Sequence, residues 1–208
     1  MSEDILSRGE RTRAEIVRAA YQLFLTNGFH GTSTRQIAAE AGIALGGIYN
    51  HFTSKEEIFK AVLMEHHPFY IIMPAIEAAV GESVEDLVRD AAHQMVSVLG
   101  ERLEFINLMF IELVEFKGSH LPEMFSIFMP KLMSFAQQLS AQRGAVRDIP
   151  PLVLVRAFIG LFFSYVITEL LVGNLMPASF SKDTIQYFVE IYLHGIIANT
   201  GSQYGVGI

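Results

Sequence analysis

Between residues 13 and 63 the chain is cut into short helical pieces by glycines and side-chain caps, and this punctuation constrains the fold more than any other feature. Ile16, Ala19, Ala20, Leu23 and Phe24 recur at the spacing of one apolar helical stripe, which stops at Asn27-Gly28. Ser33 followed by Gln36 is a capping-box pattern opening a second helix, TRQIAAEAG, and Gly42 suits the left-handed residue that ends it. The same pattern returns at Ser54 and Glu57, opening a helix whose buried face is Ile58, Phe59, Val62 and Leu63 and which ends before Pro68. Between these two lies GIALGGIYNHF, residues 42–52, read as another short helix. Its consecutive Gly46 and Gly47 each cost a helix interior about 1 kcal/mol relative to alanine, so some gain elsewhere must offset them.

Beyond Pro68 the pattern stays helical and turns more apolar. Helices are expected near 69–80, 83–99, 101–117, 121–142, 151–172 and 182–199, separated by Gly81, Gly100, Gly118, Gly144, Pro150-Pro151 and Gly173. In the second of these Ser83 is the cap, and Leu87, Val88, Ala91, Met95 and Val98 form the stripe. Pro130, inside FSIFMPKLMSF, is expected to kink or break its helix, and the tail GSQYGVGI to fray. No alternating run marks a strand, so the expected fold is all-α. The expected division is a helix-turn-helix domain over residues 1–66 followed by a larger helical domain over residues 67–208.

At 208 residues the chain can bury a sizeable core. Its 51% hydrophobic and 18% charged content calls for extensive buried interfaces or membrane contact. Having no cysteine, it holds no disulfide, thiolate metal site or cysteine nucleophile, which fits a cytoplasmic setting. The polar start MSEDILSRGERTR shows no secretory or lipid signal. Of the net charge of −7, none falls in residues 1–60, where seven Lys/Arg balance seven Asp/Glu. An acidic body with a neutral head repels polyanions everywhere except at the head.

Two short helices joined by a tight turn with glycine are what a helix-turn-helix needs. Ile37, the small Ala38, Gly42, Ile43 and Ile48 fill its packing positions: Ala38 lets the helices cross closely and Gly42 takes positive φ without steric cost. Helical hairpins of this size also serve as plain packing units, so the pattern alone leaves DNA binding open.

From Thr12 to Leu63 the sequence resembles the DNA-binding domain of the TetR/AcrR family of bacterial transcriptional repressors. The resemblance rests on Arg13-Ala-Glu-Ile16, Ala20, Leu23-Phe24, Gly28-Phe29, Thr32-Ser33-Thr34, Ile37-Ala38, Ala41-Gly42-Ile43, Tyr49-Asn50-His51-Phe52 and Ser54-Lys55-Glu56. It implies that Tyr49 and His51 donate to phosphate oxygens, with Lys55 and the helix N-terminus beside it adding further contacts. Thr34 and Arg35 would face the backbone or groove edge, and Arg8, Arg11 and Arg13 would reach phosphates. Each has a plainer reading: Tyr49 as a core aromatic, His51 as a structural side chain, Lys55 as a solvated charge. The departure from the family lies at Ala44-Leu45-Gly46-Gly47, where many members carry hydrogen-bonding side chains. Only Asn50 in this helix suits bidentate base recognition. Ala44 and Leu45 can touch thymine methyl groups, so the expected readout is thymine-containing steps plus DNA shape.

The resemblance also implies a ligand cavity in the helical body and a homodimer interface near its C-terminal end. Candidate pocket residues are His93, Phe105, Met109, Glu112, Phe116, Phe128, Phe158, Phe162 and Tyr165, a lining that favours a hydrophobic or amphipathic small molecule; simple core packing is the alternative for each. Ala157, Gly160, Ser164 and Thr168 form a small-residue stripe assigned, with the helix at 182–199, to a four-helix dimer interface. A membrane span at 151–173 is disfavoured because Arg156 and Glu169 bracket only twelve uncharged residues, against the roughly 20 a span requires. There is no Gly-x-Ser-x-Gly elbow, phosphate loop or HExxH, and His66-His67 point about 100° apart on a helix. The expected partners are therefore operator DNA, an apolar effector and a second copy of the chain, with no catalytic residue, metal or cofactor. The competing reading is a membrane-associated or scaffolding helical protein without DNA binding.

Overall fold

The computed structural model describes residues 7–67, 70, 72–74, 79, 82–101, 104–141, 146–175 and 184–197. The expected helix near 69–80 therefore falls largely outside the described residues, and Gly81, Gly144 and the tail GSQYGVGI wholly so. In chain order the helices are α1 (Arg8–Gly31), α2 (Thr34–Glu40), α3 (Leu45–Ile48), α4 (Lys55–His66), α5 (Val84–Glu101), α6 (Glu104–Glu115), α7 (Leu121–Ala141), α8 (Pro151–Val172) and α9 (Thr184–Ile196). No strand occurs among the described residues, only an isolated bridge between Val146 and Ile197. The fold is all-α. Two compact units are present: Met1–His67 with Leu103–Phe125, and Pro68–Arg102 with Ser126–Ile208.

The first unit contains α1 to α4, α6 and the first residues of α7. Ser7 opens α1 with a reciprocal cap, its hydroxyl accepting from Glu10 N–H while its own N–H donates to the Glu10 carboxylate at 2.7 Å. As Asn27-Gly28 predicts, regular helix stops there: Gly28 takes φ 71°, and one further turn follows before Thr32. Buried Thr32 shares its hydroxyl proton between the carbonyls of Leu23 (3.1 Å) and Gly28 (2.9 Å). Lys55, in the first turn of α4, donates to the carbonyls of Phe29 and Thr32, both at 2.7 Å, and lies 4.2 Å from the Phe29 ring centroid. The last carbonyls of α1 are thus served by a hydroxyl and a cation instead of a further turn of helix.

α2 starts on the expected Ser33–Gln36 capping box. At α4 the expectation holds only in half. Ser54 accepts from Glu57 N–H at 3.1 Å, but the Glu57 carboxylate reaches one residue further back, to Thr53 N–H (2.6 Å) and its hydroxyl (2.8 Å). Those bonds hold the Glu57 carboxyl below its ordinary range, the backbone donor contributing most. The core of this unit is Ile16, Ala20, Phe24, Ile37, Ile58, Phe59 and Leu63, all essentially inaccessible. α6 lies along α1, where Tyr21 donates to Glu104 at 2.9 Å and His30 meets Glu115 at 2.6 Å.

The second unit is built from α5, the remainder of α7, α8, the 3-10 turn Gly173–Leu175 and α9. Ser83 accepts from Asp86 N–H at 3.1 Å, the expected cap of α5, whose stripe residues Val88 and Ala91 are fully buried. An Arg89–Glu190 ion pair ties α5 to α9. Phe135 of α7, Phe158 and Phe162 of α8 and Tyr192 of α9 pack ring on ring at 4.8–6.3 Å. Tyr192 donates to the Leu154 carbonyl at 2.9 Å, and burial raises its pKa. α7 does not break at Pro130 but runs through it. Pro130 is exposed, so water can serve the carbonyl that loses its helical partner.

The first unit allows two tests of stability. Lys55→Met takes the charged donor away from the Phe29 and Thr32 carbonyls, the first keeping the 3.3 Å bond from Thr32 N–H, and we expect urea denaturation to show a loss of about 2 kcal/mol. His67, at the end of α4, is 6% exposed and packs edge-on to Phe105; burial lowers its pKa from 6.5 to about 3. The unfolded chain therefore binds a proton below pH 6.5 that the folded chain refuses until about pH 3. Stability falls as pH drops through that window, by about 1.4 kcal/mol per unit from this group. His67→Leu should flatten the slope between pH 6 and 4 in denaturation curves.

Candidate nucleic-acid interface

The turn between α2 and α3 is fixed by backbone chemistry. Gly42, at φ 69°, lets its N–H reach the Ala39 carbonyl (3.2 Å) and Ile43 N–H reach that of Ala38 (3.0 Å), the paired bonds of a Schellman stop. A side chain at Gly42 would be strained by that φ. The chain then enters α3 from Ala44, which provides no side-chain cap. α3 is four residues long and continues as turns, with His51 and Phe52 N–H both bonding the Ile48 carbonyl at 2.9 Å.

One side of this element is locked. Ile48 and Phe52 are 1% and 2% exposed. On the other side Ala44, Gly46, Tyr49 and Asn50 are exposed, while Leu45, Gly47 and His51 are half-buried. Tyr49, at 55% exposure, is not a core aromatic. Neither Gly46 nor Gly47 has positive φ, so the backbone does not require glycine at either position. A Cβ at Gly46 would meet nothing within 4 Å, and one at Gly47 would make ordinary contact with Ile43 at 3.5 Å.

The flanking side chains differ in exposure. Arg8, Arg11 and Arg35 are exposed and Thr34 is half-buried. Arg13 is engaged within the protein, paired with Glu65 at 2.5 Å and 5.1 Å from the Phe52 ring centroid. Lys55, assigned to phosphate by the resemblance, has two of its three N–H groups on the carbonyls of Phe29 in α1 and of Thr32, the residue that follows that helix. In the structure it holds α4 to the end of α1. No sequence signal marks Thr32 or Lys55 for that role, because the partners are carbonyls that only the break at Gly28 releases.

The expected pocket residues separate between the two units. Phe105, Met109, Glu112 and Phe116 lie in the first, where Phe105 and Glu112 are buried. Phe116 stacks on Phe59 at 4.8 Å, and both oxygens of the Glu112 carboxylate are occupied by His120. In the second unit Phe158 and Phe162 are sealed in the aromatic core, Phe128 and Tyr165 are buried, and His93 faces solvent. The stripe Ala157, Gly160, Ser164 and Thr168 is exposed throughout. It continues into Val153 and Leu171, 52% and 69% exposed, and beside it on α9 stands Ile191 at 62%. Among the described residues no group of three or more His, Asp or Glu is arranged to hold a metal.

A helix-turn-helix with one face anchored and the other open, in an all-α chain, is the arrangement that DNA-binding regulators use. Residues 16–62 match the pattern of the bacterial regulatory proteins of the tetR family. Over 194 residues the chain is 23% identical to the uncharacterised HTH-type transcriptional regulator YvkB of Bacillus subtilis, covering 90% of this chain and 98% of YvkB. The fold is shared with a TetR family transcription regulator from Marinobacter aquaeolei VT8 (16% identity, 92% and 98% of the two chains, TM-score 0.64). It is also shared with NalD, the secondary repressor of the MexAB-OprM multidrug efflux pump in Pseudomonas aeruginosa (22% identity, 92% and 99%, TM-score 0.65). Residues 16–62 thus carry the helix-turn-helix region of the tetR family of bacterial regulatory proteins, and the fold of the chain is the one that solved TetR-family regulators share.

Because Gly46 sits in a helix at negative φ with open space around it, Gly46→Ala should raise stability, by up to about 1 kcal/mol. A thermal melt of the variant that falls below the wild-type curve would contradict this account of α3.

Proposed function

We propose that the chain is a homodimeric repressor, working in the cytoplasm, that leaves its operator when a hydrophobic or amphipathic small molecule binds. The observation that carries the DNA half is the bare outer side of α3: exposed Ala44 and Gly46 next to exposed Tyr49. Glycine there costs helix stability and has no backbone reason, so close approach of a groove wall is the gain that offsets it. In this reading Tyr49 and His51 hold phosphates, with Arg8, Arg11, Thr34 and Arg35 at the margins. Ala44, Leu45, Gly47 and Asn50 face base edges, where methyl contact and groove shape outweigh hydrogen bonding. Arg13 contributes to phosphate binding only by exchanging Glu65 for DNA.

The test is to recover duplexes from a random pool with the wild-type protein and measure affinity against salt. Thymine-containing half-sites about one helical turn apart and a steep salt dependence are expected. Gly46→Leu should weaken binding tenfold or more while the melting curve stays near wild type. An invariant guanine opposite residues 44–47, or a Gly46→Leu variant with unchanged affinity, would refute the groove assignment.

The dimer half rests on α8. This 22-residue helix has a mean hydropathy of 1.9 and is long and apolar enough to cross a membrane, yet Arg156 and Glu169 lie within it. Pairing its exposed small-residue stripe, with the α9 side that carries Ile191, against a second copy buries the same apolar surface without desolvating charge in lipid. A Cβ at Gly160 meets nothing in its own chain, so Gly160→Trp should fold but sediment as a monomer at micromolar concentration. A dimeric Gly160→Trp would move the interface elsewhere. Effector response is supported by the family and by the apolar composition of the body. An effector that releases DNA must bind the DNA-free state more tightly, and DNA must weaken effector binding by the same factor.

A further inference from the structure

Glu112 is the one carboxylate buried to 0% exposure among the described residues. A charge at that depth is retained only where donors surround it, and here one short turn supplies them all. The Glu112 carbonyl accepts from Phe116 N–H (3.2 Å) and Gly118 N–H (3.1 Å). Its carboxylate takes His120 N–H on one oxygen (2.8 Å) and His120 Nδ1 on the other (2.7 Å). The turn between α6 and α7 is therefore wound around a single side chain. It also carries two left-handed residues in succession, Lys117 at φ 53° and Gly118 at φ 76°. A left-handed lysine costs about 1–2 kcal/mol, so this turn does not hold its shape unaided.

The turn presents two rings to the helix-turn-helix. Phe116 stacks on Phe59 of α4 and meets Phe29 edge-on, each at 4.8 Å between centroids. His120 tilts against Phe116 at 5.0 Å and Phe59 at 6.3 Å. Phe29 in turn is the residue whose carbonyl holds Lys55 at the start of α4. A continuous set of contacts thus runs from the Glu112–His120 pair to the junction of α1 and α4, the two helices that flank α2 and α3.

We propose that Glu112 and His120 are positioning residues for DNA binding: the pair sets where the start of α4 stands relative to α1, and with it the pose of the recognition element. This rests on the DNA-binding reading above. Displacing Phe116 by breaking the pair moves α4 without touching any residue at the DNA face.

The absence of cysteine permits a direct measurement. Spin labels at Gln22→Cys on α1 and Glu56→Cys on α4 report the spacing of the two helices, and the duplex selected by the wild-type protein reports affinity. His120 is partly exposed, so H120A should fold, as circular dichroism at 10 °C will show. It should bind the duplex at least tenfold more weakly and give a shifted or broadened label distance. E112Q keeps both hydrogen bonds, its amide oxygen accepting from His120 N–H and its NH2 donating to Nδ1, and should restore affinity to within threefold with the wild-type distance. A folded H120A that keeps either the wild-type affinity or the wild-type distance overturns the proposal, as does an E112Q as impaired as H120A. If no duplex is selected at all, the DNA-binding reading fails, and the label distances alone then decide whether the pair positions α4.

Discussion

The end of α1 sets the geometry of the whole N-terminal unit. A helix of this length ends with carbonyls that need donors, and Gly28, by turning left-handed, withdraws the N–H groups that another turn would have offered. Thr32 and Lys55 replace them. Since Thr32 stands just before α2 and Lys55 begins α4, satisfying one helix end fixes the entry of the second helix and the origin of the fourth. The stretch between them, α2 and α3, is thereby held at both ends. Lysine suits this position because a cation at a helix C-terminus is favoured by the helix dipole, and its stem can cover an aromatic ring. The same commitment explains why a lysine that resembles a phosphate contact in sequence is turned inward.

What the sequence made legible was local. The caps at Ser33 and Ser83, the stops at Gly28 and Gly42, and the helices from residue 83 onward emerge from residue type and spacing because each rests on residues close by in the sequence. Long-range bonds left no such trace. Glu57 has the spacing of a capping box with Ser54 yet bonds Thr53, and nothing in the sequence separates those two outcomes. Nor does periodicity reveal that α6, which follows α5 in the chain, packs in the same unit as α1. Its anchors are Glu104 and Glu115, which in sequence look like ordinary solvated carboxylates. At the candidate site the inward side chain Ile48 was readable from its spacing, whereas the engagement of Arg13 with Glu65 and Phe52 was not.

In the second unit the same rings serve as core that sequence alone admits as pocket lining. Phe158 and Phe162 are fully buried because Phe135 and Tyr192 close on them from neighbouring helices. Cores packed at this density accept a guest only when side chains move. The apolar content of α8 is therefore used twice, one side filling the core with aromatic rings and the other exposing a stripe of small residues flanked by larger ones such as Val153, Phe163 and Leu171. Large rings suit an interior filled once and for all, while small side chains suit a surface that must meet another helix closely.

α3 shows how specificity and stability can be separated within a few residues. Four residues cannot nucleate a helix in water, so α3 owes its existence to what it is attached to. Burying Ile48 and Phe52 contributes about 1.5–3 kcal/mol each, and the Schellman bonds at Gly42 fix the direction from which α3 starts. With the inner side holding the element, the outer side is relieved of any structural duty. It can carry glycine at a cost near 1 kcal/mol without losing the fold, since the inner anchors contribute more than that. An outer surface arranged in this way can change its residues without refolding, and the identity of those residues is then free of the demands of helix formation. Consecutive glycines that would be a defect in a self-supporting helix are, on this short and externally anchored one, compatible with a stable domain.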